Sequence, residues 1–396
     1  MTVHLQKLGN LILDGFQNGL YAPLEKYGTG IFIIRINDYD NEGRINTKNL
    51  LRVDIDDSEV ERFSLKENDI LINRVNSLTH LGKSCLIRNV CKPIVYESNM
   101  MRLRIPPESS VIPEYVAHFL QTPRARNYFR IVAKPAVAQA SINQEDVKSL
   151  SIPLFEKEVQ IEIAEILSCF DIAIVKTERL IEVKEKRYSW LLNNLIFSYI
   201  NKRGQIRDFT SEISKRNRDG SCNLVLSVTN HSGFVLPEEQ FERRVASSDL
   251  SNYKMVLNGQ FAYNPSRINV GSIARLDSWE RGVLSPMYVV FKLNEKIVNS
   301  DFFLHWLSSH EAKERIRKSA QGSVRETVSF TDFGAIPFSI PPLEQQQKIA
   351  DVLNTAQQEI NILKKLADSY RKQKRGLMQK LLTGQWRVKT GEGIES

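Results

Sequence analysis

Apolar residues return every seven positions along two stretches of this chain. In the second stretch, Ile349, Ala356, Leu363, Tyr370 and Leu377 form one row, flanked by Leu353, Ile360, Ala367 and Leu381. In the first, Leu167, Ile174, Ile181, Tyr188 and Leu195 repeat the pattern beside Ile163, Phe170 and Leu191, with Thr177 and Lys184 breaking the flanking row. A sustained period of seven with an apolar seam is the pattern of a coiled coil. The spacing predicts two helices of roughly 40 residues, about 60 Å each at the usual rise. A rod of that length with one apolar side is not stable alone in water. The two seams bury each other most simply if the helices pair antiparallel around a pseudo-twofold axis; the alternative is that each helix packs on its own domain.

The helices belong to a larger repeat. "SIPLFEKEVQIEIAEIL" at 151–167 returns as "SIPPLEQQQKIADVL" at 339–353, and the copies keep register from Ile163 and Ile349 through Leu195 and Leu381. Pro341 and Pro342 suit the first helical turn, where a missing N–H costs nothing, and Gly384 suits the stop. The similarity also reaches backwards. "ESNMMRLRI" (97–105) resembles "LSPMYVVFKL" (284–293), and "GKSCLI" (82–87) sits where "GSIARL" (271–276) sits in the second copy. The short runs "GIFIIRIND", "DILINRVN", "MMRLRI", "CNLVLSV", "GQFAYN" and "MYVVFKL" predict strands in mixed or antiparallel sheets, with helices near 112–121 and 301–318. The expected architecture is α+β: two similar mixed domains at 1–150 and 201–338, long helices at 151–200 and 339–385, and a tail at 386–396.

Composition adds a partner class. The chain has 396 residues, 42% of them apolar and 25% charged, with a net charge of +8. That balance favours an anionic partner, nucleic acid ahead of a membrane surface. "MTVHLQKLGN" lacks the pattern of a signal peptide and no apolar run approaches the length of a membrane span, so the expected location is the cytoplasm, with no membrane partner. Cys85, Cys91, Cys169 and Cys222 form no C-x-x-C pair, which predicts buried reduced thiols rather than zinc or a disulfide framework.

Catalytic motifs fail one by one. Gly82-Lys83-Ser84 lacks the glycine that a phosphate loop requires at Ser77. "YNPSR" (263–267) lacks the second proline and the stacking aromatic of an amino-methyltransferase motif, and no glycine-rich turn offers a place for S-adenosylmethionine. The six histidines are scattered, with no H-E-x-x-H. No metal site and no catalytic site is expected, which argues against a methyltransferase in its own right. Instead, "QNGLYAP", "NRVNSLTHLGK", "SKRNRDG", "SVTNHSG" and "YNPSRINVG" mix amides with arginines in loops. Arg and Lys neutralise phosphates, while Asn, Gln and Arg can read base edges. Solvated loop side chains are the plainer alternative for any one of them.

With the repeat and these strings in view, the chain resembles the specificity subunit of type I restriction–modification systems over essentially its full length. The residues that carry the likeness are the two "SIP…E" leaders (151–156 and 339–344), "IAEIL" and "IADVL", "GSVRETVSF" (322–330) and "FAYNPSRINVGSIARL" (261–276). The first leader departs from the family's Pro-Pro-Leu-Glu-x-Gln form, since Leu154 and Phe155 follow a single proline. The resemblance implies two target-recognition domains, each reading one half of a split double-stranded DNA site. It implies a helical spacer that sets the gap and docks two modification subunits, and restriction subunits that complete a bacterial defence complex. S-adenosylmethionine, ATP and magnesium would sit on those partners, with none in this chain, which would guide DNA methylation without catalysing it. The recognition subunit of a type IIB system shares this architecture, and a coiled-coil scaffold that binds no DNA is a further alternative. Loop composition singles out Gln17, Asn18, Tyr21, Arg74, Asn76 and Lys83 in the first domain. In the second it singles out Arg216, Asn217, Asn230, Asn264, Arg267 and Arg325 as DNA-contacting candidates. The helix-pairing seam is expected at Ile163, Leu167, Phe170, Ile174, Ile181, Tyr188, Leu191 and Leu195, against Ile349, Leu353, Ala356, Ile360, Leu363, Tyr370, Leu377 and Leu381.

Overall fold

The computed structural model describes residues 4–12, 15–135, 139–197, 202–237, 249–320 and 327–388. They form two compact units, one from the chain up to Thr177 together with Lys365 onward, the other from Glu178 to Lys364.

In the first unit, four antiparallel strands lie in the order Phe16–Asn18, Met100–Leu103, Ile70–Asn73 and Ser84–Leu86. The two central strands are buried on both faces and are apolar except for Asn73 and Arg102. Alternation divides them: Ile70, Ile72, Met101 and Leu103 join the core beneath the helices Pro113–Leu120 and Pro123–Val132, while Leu71 and Met100 face a second cluster with Tyr39, Cys85 and Tyr96. A further sheet pairs Tyr27–Ile34 antiparallel with Leu51–Val53 and parallel with Ile94–Tyr96, so the strand arrangement is mixed.

The second unit repeats the four-stranded plan. Thr210–Glu212, Val289–Leu293, Phe261–Tyr263 and Ile273–Arg275 follow one another, all antiparallel. Phe261, Tyr263, Val289 and Phe291 point into the helix-covered core, and Ala262 and Val290 into the other cluster. The helices Ser300–Ser308 and His310–Ala320 cover the sheet here. Equivalent strands of the two copies thus take equivalent places, as the repeat predicts.

The long helices span Lys157–Phe197 and Leu343–Leu381. In the first unit, the start of one meets the end of the other: Phe170 packs edge-on against Tyr370, with centroids 6.3 Å apart. The Lys374 ammonium donates to both Asp171 oxygens, at 2.6 and 2.7 Å. In the second unit, the end of the first helix meets the start of the second, with Lys184–Glu359 at 2.6 Å and Lys364–Glu185 at 2.7 Å. The pairing within each unit is therefore antiparallel. Ile163, Leu167, Ile174, Ile349, Leu353, Ile360 and Leu381 are buried, and Phe170, Ile181, Tyr188, Leu191, Leu195, Ala356, Leu363, Tyr370 and Leu377 are half-buried. The helices also pack on the domains, since Ile163 and Leu167 share a core with Tyr115 and Phe119. The two residues that interrupt the first seam are accommodated: Thr177 donates its hydroxyl to Ala173 O at 2.7 Å, and Lys184 finds Glu359.

Several boundaries differ from those read in the sequence. Ser151–Leu154 is a strand antiparallel to His4–Lys7, and the helix begins only at Lys157. Phe155, one of the two residues that depart from the family form, sets its ring 6.0 Å from Tyr115, whose hydroxyl donates to Pro153 O at 2.8 Å. Likewise Pro337–Ile340 pairs with Lys202–Gln205. Pro341 and Pro342 precede the second helix rather than forming its first turn, and Pro342 O accepts from Gln345 and Gln346 N. Gly384 does end it, at φ +75°, a conformation that favours glycine. Cys85 and Cys222 are buried, but Cys91 and Cys169 are exposed. Among the described residues no helix is long and apolar enough to cross a membrane.

Candidate nucleic-acid interface

One glutamine ties each domain to the helix that follows it. Gln160 is fully buried in the first turn of the first long helix. Its Oε1 accepts from Ile112 N at 3.1 Å, and its Nε2 donates to Ser110 O and Phe155 O, both at 2.8 Å. Gln346 does the same in the second unit, accepting from Asn299 N at 2.8 Å and donating to Ile297 O at 3.0 Å and Pro341 O at 2.8 Å. Both amides satisfy backbone groups at the start of a domain helix that would otherwise be buried unpaired. A histidine adds a second tie in each unit. His118 Nε2 lies 3.2 Å from Ser168 Oγ, and its burial, aided by the Lys374 charge, pushes its pKa down to about 3. His305 sits between the Tyr188 hydroxyl (2.9 Å) and Asn354 Oδ1 (2.8 Å), its pKa also lowered by burial.

On this framework the candidate contact residues separate into two groups. In the first domain, Asn18 is exposed at the end of its strand and Tyr21 in the loop that follows, whose base is fixed by Gly19 N to Met100 O (3.0 Å) and Leu20 N to Tyr96 O (2.8 Å). A Cβ at Gly19 would lie 2.1 Å from Glu97 O, so only glycine lets the strands approach this closely. Tyr21 is 80% exposed and Leu24 88%. Gln17, half-buried, donates to Arg62 O at 3.2 Å and lies 3.3 Å from the Tyr96 hydroxyl. Arg74 and Asn76 are both half-buried, Arg74 just before and Asn76 within a ribbon in which Val75–Asn76 pairs with Ala140–Ser141, and that strand with Lys134–Pro135. Arg74 donates to Ser98 O at 3.0 Å, and Asn76 Oδ1 accepts from Ser77 N at 2.8 Å.

In the second domain, Asn230 and Arg267 are exposed, and the fold brings their turns together. Gly271, at φ +97°, lies against Asn230, and Ser272 Oγ donates to Val228 O at 2.7 Å. Arg216 is half-buried, donating to Asn252 O at 2.9 Å and to the Asn252 side chain. Arg325 lies outside the described residues.

Three candidates are framework residues instead, a correction to the composition-based reading. Lys83 is buried, and its ammonium donates to Ile36 O and Tyr39 O, both at 2.7 Å. Burial, reinforced by the Arg126 charge, lowers its pKa. Asn217 is buried and closes a loop by donating to Cys222 O at 2.8 Å and accepting from Cys222 N at 3.1 Å. Asn264 is buried, its Oδ1 accepting from Ser266 N at 3.0 Å. The polar atoms of Lys83 and Asn217 are engaged within the domain, as is the Asn264 Oδ1, and all three residues are buried. Conversely, Arg130 and Lys134 are exposed at and just before the ribbon, a basic pair that "RARNYFRIVAK" carries in plain view. Among the described residues, no group of three or more His, Cys, Asp or Glu side chains could hold a metal ion.

Comparison with known proteins bears on what these surfaces meet. The family model described as the type I restriction modification DNA specificity domain matches residues 24–185 and again 266–369. A putative type I restriction enzyme specificity subunit of Methanocaldococcus jannaschii, MjaX, is 28% identical over 410 aligned residues, covering 96% of this chain and 92% of the relative. The EcoKI specificity subunit of Escherichia coli is 29% identical over 154 residues, 38% of this chain and 32% of that one. Among solved structures, the S subunit of a type I restriction–modification system from M. genitalium superposes with a TM-score of 0.62, covering 96% of both chains at 16% identity. That likeness concerns the fold.

Proposed function

This chain belongs to the type I restriction–modification DNA specificity family, and from that premise we propose how its parts divide the work. It is a specificity subunit, the component that recognises the DNA target. Each four-stranded domain reads one half of a bipartite duplex site. The paired helices hold the readers at a fixed separation and dock two modification subunits, and restriction subunits complete the complex. S-adenosylmethionine, ATP and magnesium act on those partners, and this chain contributes recognition without catalysis. The relatives are named as type I enzymes, which favours that partner set over a type IIB one.

The observation that carries this reading is the repeated mounting. Both domains have the same sheet order, and both are fixed to a long helix by an equivalent buried glutamine, Gln160 or Gln346. A reader whose base is held by two hydrogen bonds to a buried glutamine of a stiff helix has one orientation to offer DNA. Reading by both domains from one side of the duplex would place the half-sites about one turn, roughly 34–36 Å, apart. Asn18, Tyr21, Arg74 and Asn76 in one domain, and Asn230 and Arg267 in the other, are the described side chains we assign to contact; Gln17 and Arg216 support them from half-buried positions.

The test is long-read adenine-methylation mapping in a methylation-free host that co-expresses this chain with its modification subunit. A split motif with two specified blocks around a constant gap is expected. Inserting residues in both long helices should change the gap and leave the blocks unaltered. Methylation that persists without this chain, or insertions that alter the blocks, would refute the division of labour.

A further inference from the structure

The first unit holds a cavity of about 720 Å³ that none of the assigned reading residues lines. Its charged lining consists of Lys66, Glu67, Asp69, Arg102, Arg104 and Lys157. Two of the cations and anions are already matched: Arg104 Nε and Nη2 donate to Asp69 at 2.7 and 2.6 Å. Glu67 is 3.7 Å from Arg88. Among the described residues, no carboxylate pairs with Arg102, Lys66 or Lys157.

Arg102 is the unusual member. It lies on a central strand, opposite Gln17 on one side and Leu71 on the other, so its backbone is fixed. It is only 9% exposed, and its buried Nε has no hydrogen-bond partner. A guanidinium whose Nε is buried without a hydrogen-bond partner is costly, and an anion that enters the cavity would offset that cost. The planar fork of arginine suits the oxygens of a phosphate, which can take two parallel hydrogen bonds. Lys157 opens the 41-residue helix, whose first peptide N–H groups add positive potential at the same wall. The second copy has Val290 where the first has Arg102, so the feature belongs to one domain alone.

We propose that this cavity is a phosphate-binding site, anchored by Arg102 with Lys66 and Lys157 at its rim. The phosphate comes either from the DNA backbone or from a free phosphate or nucleotide. The cavity stands on its own geometry; only the DNA source rests on the function proposed above.

Titration calorimetry of the full chain with inorganic phosphate, against chloride at matched ionic strength, measures the site directly. Binding is expected to weaken at least tenfold in Arg102→Gln and several-fold in Lys157→Gln. Lys157 is exposed, so that second variant carries the test if Arg102→Gln fails to fold. The source is read from duplex binding as a function of salt. If a backbone phosphate occupies the cavity, Arg102→Gln lowers the slope of log affinity against log salt by about 0.9 and phosphate competes with DNA. Lost phosphate binding with an unchanged slope assigns the cavity to a free phosphate or nucleotide. Phosphate binding in a chain that binds no duplex would uphold the cavity and overturn the recognition reading instead. Equal phosphate affinity in wild type and both variants, or no phosphate binding together with an unchanged slope, would overturn the proposal.

Discussion

Replacing Gln346 with leucine tests whether the mounting of the second domain rests on one side chain. Leucine fills a similar volume but leaves Asn299 N without an acceptor, and Ile297 O and Pro341 O without the donor they share. Because Gln346 is fully buried, water has no ready route to replace the amide. A buried group left unpaired costs about 1–3 kcal/mol, with an N–H at the high end and a carbonyl at the low end. The sum is roughly 3–5 kcal/mol, a large share of the ~5–15 kcal/mol that holds a domain folded. With a urea m-value of ~2 kcal/mol/M, the midpoint should fall by about 1.5–2.5 M. In a Trp386→Phe background tryptophan emission reports the right unit, since Trp306 is buried in the second core and Trp386 is the one tryptophan outside the second unit. Gln160→Leu is the matched control. It should cost a similar amount by far-UV circular dichroism while leaving the Trp306 transition in place. A Gln346→Leu midpoint within about 0.3 M of wild type, less than 1 kcal/mol at that m-value, would show that the backbone groups find other partners and that the glutamine is no clamp.

Acid should weaken the first unit through His118. Its folded pKa near 3 lies below the ordinary value of 6.5, so its stabilising effect is complete above 6.5 and is lost as pH falls from there toward 3. Two pH units below 6.5 correspond to roughly 2.5 kcal/mol. His118→Gln should flatten the dependence of urea midpoint on pH between 7 and 4.5 by about that amount, and an unchanged slope would refute the assignment. Asp171→Ala leaves the Lys374 ammonium, 7% exposed, without its partner, at a cost of about 3 kcal/mol. The double variant Asp171→Leu/Lys374→Met should recover most of that loss in thermal melts, and equal destabilisation of both would contradict it. Arg267→Ala should weaken binding to the mapped target by about 1–3 kcal/mol in fluorescence anisotropy if the arginine reads a base edge. Unchanged affinity and salt dependence would remove that loop from the interface.

The heptad rows announced the long helices because a seam and a core face share one periodicity, and Ile163, Leu167, Ile349 and Leu353 had to be buried somewhere. The repeat then carried the sheet plan from one domain to the other, Met100–Leu103 matching Val289–Leu293. Ser151–Leu154 escaped notice as a strand because a short apolar run beside an amphipathic helix has no period of its own; its partner, His4–Lys7, is distant in sequence. The roles of Gln160 and Gln346 were hidden for a related reason: a polar residue in a first helical turn reads as solvated unless the backbone above it is known. Lys83, Asn217 and Asn264 were misplaced by chemistry rather than by pattern. An asparagine offers a peptide the same donor and acceptor that it offers adenine, and an ammonium bonds a carbonyl as readily as a phosphate. Loop composition cannot separate the two uses; burial does.

The first and last strands of each domain have a consequence for how such a chain can be edited. His4–Lys7 lies against Ser151–Leu154, and Lys202–Gln205 against Pro337–Ile340. In each case the polypeptide leaves a domain beside the point where it came in. A segment with neighbouring ends behaves as a cassette, since another of similar span can be spliced between the same two strands without moving what lies on either side. Because the "SIP" strings lie at or beside the closing strands, the matching stretches of sequence fall at the junctions themselves, where a crossover would exchange one whole reader and leave its mount intact.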